Sequence, residues 1–160
     1  MDLLGLAESW FPGHGAEALA AYRAETSPDP RRGHLALRLQ SDGEFHCPAD
    51  RFADLLASNG WPTWFYEFDV GANGGITAHA YEIGFIFEHK PVGSGVRMQD
   101  YWAALAIAGD PNAATPAGQR RPQWERWNPQ QPRQMFFGQD ESRMIAGKPR
   151  AQFCKFAERF

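Results

Sequence analysis

A single histidine, His79, stands in the run Ile76-Thr77-Ala78-His79-Ala80-Tyr81-Glu82-Ile83-Gly84-Phe85-Ile86-Phe87, just past the apolar stretch Thr63-Trp64-Phe65-Tyr66-Glu67-Phe68-Asp69-Val70. An imidazole on a loop after a core strand is where α/β enzymes of acyl transfer carry their general base. Such a base needs a nucleophile to serve. No Gly-x-Ser-x-Gly elbow occurs: in Val92-Gly93-Ser94-Gly95-Val96 the glycines flank Ser94 directly, where the elbow needs them two residues away on each side, and no other serine comes closer. The chain reads as the back end of an enzyme whose nucleophile lies elsewhere.

The elements that would position His79 follow from spacing and stop signals. Residues 15–25 carry Leu and Ala at helical intervals, and Ser27-Pro28-Asp29-Pro30 ends that helix before a charged loop. A second helix is predicted over 43–58, with Phe45, Phe52, Leu55 and Leu56 on one face, Asp42 able to cap its start and Asn59-Gly60 closing it. The stretch 63–70 has apolar residues on both faces, which suits a strand covered by helices on both sides. The sequence Gly71-Ala72-Asn73-Gly74-Gly75 then forces a turn, so His79 is presented at the strand's carboxyl end, the usual edge for α/β active sites. Residues 81–87 form a short helix or a buried connector. A helix is predicted over 97–108, with Gly109 as its stop. A surface loop rich in Pro, Gln and Arg, with no assignable role, spans 110–133. A short strand over 134–138 and a final amphipathic helix from Pro149 through Phe153, Phe156 and Phe160 complete the chain.

Composition bounds the function class. At 160 residues, 43% hydrophobic and 14% aromatic, the chain is the size of one domain and can bury a core. A net charge of -3 offers no basic footprint for nucleic acid, and Arg120-Arg121 reads as a solvated turn. The first ten residues have neither a basic start nor a long apolar centre, so no signal peptide is expected there, and no stretch is apolar enough for a membrane span. His14, His34, His46 and His89 lack metal-ligand spacing and are expected at the surface or in caps; no metal or cofactor is implied. Trp61, Trp64, Trp102, Trp124 and Trp127 are expected mainly in the core.

Several ordered motifs resemble the carboxyl-terminal third of the type-B carboxylesterases, the family that includes the cholinesterases. They are Phe45-His46-Cys47-Pro48, Trp64-Phe65-Tyr66-Glu67-Phe68, the run from His79 to Phe87, Tyr101-Trp102-Ala103-Ala104-Leu105-Ala106-Ile107-Ala108-Gly109-Asp110-Pro111-Asn112, and Gln152-Phe153-Cys154-Lys155-Phe156. The resemblance covers nearly the whole chain, residues 1–160. It implies the late part of an α/β-hydrolase fold: the last strands of a mixed, mostly parallel sheet with flanking helices. It aligns His79 with the family's catalytic histidine, against the alternative of a histidine that hydrogen-bonds a loop carbonyl. Glu82 matches an acidic position behind the active site, which can support the imidazole; alternatively it caps a helical turn. Cys47 and Cys154 match a bridge of cholinesterase-like members; closing a loop of roughly 100 residues would stabilise by at most ~4–5 kcal/mol. Two free thiols are the alternative in a reducing cytosol, whereas the bridge implies an exported parent protein, secreted or periplasmic.

By the same resemblance the nucleophile, triad acid and oxyanion loop belong to an amino-terminal portion ahead of this chain. Asp50, Asp54 and Glu67 are not substitutes: Glu67 falls inside a strand, and the other two on a helix's expected solvent side. The leading expectation is therefore a carboxylic ester hydrolase lacking its nucleophile, inactive alone, with a small-molecule ester as substrate of the complete enzyme and the amino-terminal portion as its partner. The alternatives are a non-catalytic interaction module and a truncated gene product whose exposed strand edge prevents stable folding.

Overall fold

The computed structural model describes residues 2–115 and 120–157, arranged as two compact units: Met1–Trp61 with Lys148–Phe160, and Pro62–Gly147. The first unit is helical. Asp2 caps α1 (Leu3–Trp10) by accepting from the Leu4 amide, and α2 (Gly15–Arg23) ends ahead of the Ser27-Pro28 stop. The charged loop expected after α2 contains a further helix, α3 (Leu35–Ser41), whose first turn is capped by His34 Nδ1 accepting from the Leu37 amide at 3.4 Å. The chain then passes through a π-helical turn, Asp42–His46, into α4 (Cys47–Ser58). Asn59 and Gly60 close α4 as predicted, with Gly60 at φ +80° and the Trp61 amide donating to the Leu56 carbonyl at 3.0 Å.

The inward face of α4 departs from its apolar pattern. Phe45, Phe52 and Leu55 are exposed, while Cys47, Asp50 and Ala53 are buried. Asp42 does not cap the helix either. It is 1% exposed and accepts from the Tyr22 hydroxyl at 2.6 Å and from Arg150 Nε and Nη2 at 2.8 and 2.6 Å. Arg150 also donates to Glu25 at 2.8 Å, and Glu25 pairs with Arg38. These charges take interior positions of the unit, while apolar side chains of α4 face outward.

Around that network lies a core of Phe11, Leu19, Tyr22, Leu39, Phe153 and Phe156. The short α7 (Ala151–Cys154) brings Phe153 against Tyr22, ring centroids 4.1 Å apart, with the Arg150 guanidinium 4.1 Å from the Phe153 centroid. Cys154 is bonded to Cys47, Cα atoms 5.1 Å apart. The predicted final helix is thus confined to α7, and its Phe160 end lies outside the described residues.

The second unit is built on a three-stranded sheet ordered β1-β2-β3. Strand β1 (Tyr66–Asp69) pairs in parallel with β2 (Arg133–Gly138), Tyr66 opposite Met135 and Phe68 opposite Phe137; β3 (Ser142–Ala146), for which the sequence carries no expectation, returns antiparallel to β2. Residues 63–65 lie outside the ladder's four pairs but still bond, the Phe65 carbonyl accepting from the Met135 amide and the Thr63 carbonyl from the Trp127 amide. Among the described residues the unit also carries the α-helices α5 (Ile83–Phe87) and α6 (Met98–Ala108), the latter stopped by Gly109 in the left-handed conformation at φ 69°. A common core joins Val70, Ile86, Met98, Tyr101, Trp124, Met135 and Phe137.

The described parts of the loop before β2, residues 110–115 and 120–132, form a strap. Asn112 clamps the Trp124 backbone, its Oδ1 accepting from the Trp124 amide at 2.7 Å and its Nδ2 donating to the Trp124 carbonyl at 2.9 Å. The buried Trp124 indole donates to the Phe65 carbonyl at 3.0 Å, and Trp127 is buried too. Of the pair expected in a solvated turn, Arg120 is exposed, whereas Arg121 is half-buried: its Nη2 donates to the Pro111 and Ala113 carbonyls and the guanidinium stacks 4.9 Å over Tyr101. Of the tryptophans assigned to the core, Trp61 is the exception, being exposed.

Candidate functional site

His79 leaves β1 by a loop that is fixed at both ends. Gly71 packs so tightly on its own loop that an added Cβ would sit 1.9 Å from the Gly75 carbonyl oxygen, so only glycine fits. Asn73 and Gly74 turn the chain with φ of 54° and 73°. The Thr77 hydroxyl donates to Asp69 at the end of β1, 3.3 Å away, which returns the loop to the strand it left. Val70 before the loop and Ile86 after it are buried in one core, and Phe68 meets Phe85 with centroids 5.2 Å apart.

Between these anchors His79 is exposed, on a turn in which the Tyr81 amide donates to the Ala78 carbonyl at 3.2 Å. An exposed imidazole on an anchored turn can take a proton from a group brought to it and return it. Glu82 occupies the N-cap position of α5, yet its carboxylate makes no capping bond; its backbone carbonyl accepts from the Phe85 and Ile86 amides at 2.9 and 3.0 Å. The Glu82 charge is felt instead by Tyr66. Burial, and after it Glu82, push the Tyr66 phenol up to about 12, so it stays a neutral hydroxyl. Rings of Trp102, Trp124 and Phe137 surround Tyr66 edge-on, at 5.3, 6.0 and 5.9 Å. Sequence reasoning missed Asp69 and Thr77 as supports of this loop; their bond spans eight residues and has no local signature.

Among the other residues weighed, Ser94 is exposed at φ 62°, and its amide donates to the Asp140 carbonyl at 3.0 Å in a turn packed on the β2–β3 connection. Glu67 lies in β1 as expected and accepts from the buried Gln134 at 3.3 Å. Asp54 pairs with Lys148. Asp50 is buried, not on the solvent side assigned to it. His14 heads α2 and lies 3.5 Å from Glu17, and His89 is exposed. Among the described residues no group of His, Cys, Asp and Glu is arranged to hold a metal ion, and no helix is long and apolar enough to cross a membrane.

The carboxylesterase family model matches residues 7–157, nearly the whole chain and with it the His79 loop, both cysteines and the strap. The chain belongs to the carboxylesterase family. No curated protein matches it. Family membership makes this a chain of carboxylic ester hydrolase lineage with an α/β-hydrolase fold, and the small mixed sheet with its helices is compatible with that class. The Cys47–Cys154 disulfide expected of this carboxylesterase chain is present, buried in the helical unit.

His46 takes the N-cap position of α4, as expected of a surface or capping histidine, but its side chain makes no capping bond. Its Nε2 is shut off from solvent with no hydrogen-bond partner. Desolvation, outweighing attraction from Asp42 and helped by repulsion from Arg32 and Arg150, pushes its pKa down to about 4. The unfolded chain binds this proton near pH 6.5 and the folded chain only near 4, so His46 leaves stability intact above pH 6.5 and removes it as pH falls toward 4. The loss is on the order of 2–3 kcal/mol. His46→Leu is expected to flatten that part of the urea-midpoint profile; an unchanged slope between pH 6.5 and 4 would show that His46 does not drive it.

Proposed function

We propose that this chain is the carboxyl-terminal portion of a serine carboxylesterase and supplies the general base, His79, to a serine carried by an amino-terminal portion. The observation that carries the reading is the position of His79: exposed, directly beyond the carboxyl end of a parallel strand, on a loop anchored at both ends, in a chain with no nucleophile elbow. In the assembled enzyme His79 takes the serine proton as the serine oxygen bonds to the ester carbonyl. It gives that proton to the departing alcohol, then activates the water that releases the acid. Glu82, three residues on, would supply negative charge in support of the base. No cofactor takes part in these steps.

The open edge of β1 supports the partner assignment. A parallel pair is stable when covered on both faces and continued at its edge, and β1 pairs only with β2 among the described residues. A neighbouring strand from the amino-terminal portion would complete the sheet. The disulfide supports an exported parent protein, since such a bond persists in an oxidising compartment. The isolated chain is expected to hydrolyse short-chain nitrophenyl esters no faster than its His79→Ala variant, because an imidazole without its serine gives only slow background. Saturable turnover abolished by a serine-directed phosphonate would overturn the proposal.

A further inference from the structure

The residue after His79 has a backbone that its side chain does not favour. Ala80 lies at φ 62°, in the left-handed region that L residues other than Asn and Asp seldom enter. It occupies the third position of the turn 78–81, where a positive φ is the geometric requirement and glycine the usual occupant. The turn carries His79 at its outer corner. Its closing bond runs from the Tyr81 amide to the Ala78 carbonyl, 3.2 Å, and the Ala80 carbonyl accepts from the Ile83 amide at 3.2 Å, joining the turn to the start of α5. The imidazole thus hangs from a two-residue corner between the Thr77 to Asp69 bond and a helix packed in the core.

We propose that Ala80 is a positioning residue for His79: its left-handed backbone sets the corner from which the imidazole projects, and its methyl group withholds the wider range of conformations that glycine would allow. The proposal rests on the reading of His79 as the base. Left-handed backbone is open to glycine across a broad range, to alanine in one narrow well, to asparagine with local hydrogen bonding, and is poorly suited to a β-branched residue. Alanine at this position is therefore either in the turn or out of it. With the flanking bonds formed, the first state holds His79 in one orientation.

The test compares Ala80→Asn, Ala80→Gly and Ala80→Val in the full chain by 15N relaxation at His79, with amide exchange in β2 as a check that the unit is folded. The parent and Ala80→Asn should keep a backbone order parameter near 0.85, Ala80→Gly should lower it, and Ala80→Val should bring it below about 0.6 with β2 protection unchanged. If Ala80→Val fails to fold, Ala80→Gly decides alone: an order parameter equal to the parent's overturns the proposal. A second arm reconstitutes the esterase with an amino-terminal portion. There Ala80→Val, or failing it Ala80→Gly, should lower kcat with KM unchanged, by up to ~10²-fold for the valine, and Ala80→Asn should restore it. An unchanged order parameter, or a changed one with unchanged kcat, would overturn the positioning role of Ala80, whereas full activity of His79→Ala in the same reconstituted enzyme would overturn the reading of His79 as base.

Discussion

Replacing His79 by Ala in an esterase reconstituted from this chain and an amino-terminal portion is expected to lower hydrolysis by about 10⁴-fold or more while leaving association intact. The members of a serine triad act as one unit. Without the base, serine attacks with its proton in place and the alcohol leaves without one, so little catalysis survives beyond that of binding and the oxyanion site. Association should not change, because His79 is exposed on its turn, whereas the sheet edge offered for pairing is β1. The same substitution at His14, His34 or His89 should leave the rate within a few-fold, since His34 caps α3 and the other two lie at the surface or beside Glu17. Activity that survives His79→Ala and is lost with one of these would move the base elsewhere.

The second large effect concerns stability. Arg150→Ala is expected to destabilise the helical unit by about 3–5 kcal/mol. Arg150 donates twice to Asp42 and once to Glu25, and all three side chains are largely shielded from solvent. Removing the cation leaves the Asp42 carboxylate, which also holds the Tyr22 hydroxyl, without a positive partner, and leaves Glu25 with Arg38 alone. Burial, followed by the Asp42 charge, pushes the Tyr22 phenol upward, so it remains a neutral donor and cannot replace the lost cation. The double change Arg150→Met with Asp42→Leu should recover much of the loss, because it removes charge in place of stranding it. Urea unfolding followed by amide exchange in α2 and α7 reads the effect. A loss below about 1 kcal/mol for Arg150→Ala would mean that solvent reaches these carboxylates.

What could be read from the sequence was what local rules govern. Gly109 and Asn59-Gly60 stop their helices because left-handed and near-left-handed backbone ends a helix whatever its tertiary setting. The strand before His79 declared itself through its aromatic and apolar run, and the glycine-rich turn after it through composition. Tertiary demands overrode the rest. The apolar stripe of α4 faces outward while Asp42, Arg150 and Glu25 lie inside, and no periodicity reveals an ion network that joins residues more than 100 positions apart. Helix α3 was hidden by a histidine serving as its cap, a position usually given to Ser, Thr, Asp or Asn. Strand β3, with Arg143 exposed on it, lacks the apolar run of β1, and its partner β2 supplies the pairing. At the candidate site the exposed loop that carries His79 beyond β1 was legible, whereas the left-handed Ala80 and the Thr77 to Asp69 bond were not, since one is a backbone angle and the other a contact across a loop.

The most direct measurement is covalent. The reconstituted esterase is treated with a serine-directed phosphonate and each chain is weighed by mass spectrometry, with His79→Ala as the companion sample. One adduct should appear on a serine of the amino-terminal portion, none on this chain, and labelling should slow by orders of magnitude in the His79→Ala sample, because the base that activates the serine is then missing. An adduct on Ser94 or any other serine of this chain, or labelling at full speed without His79, would contradict the account.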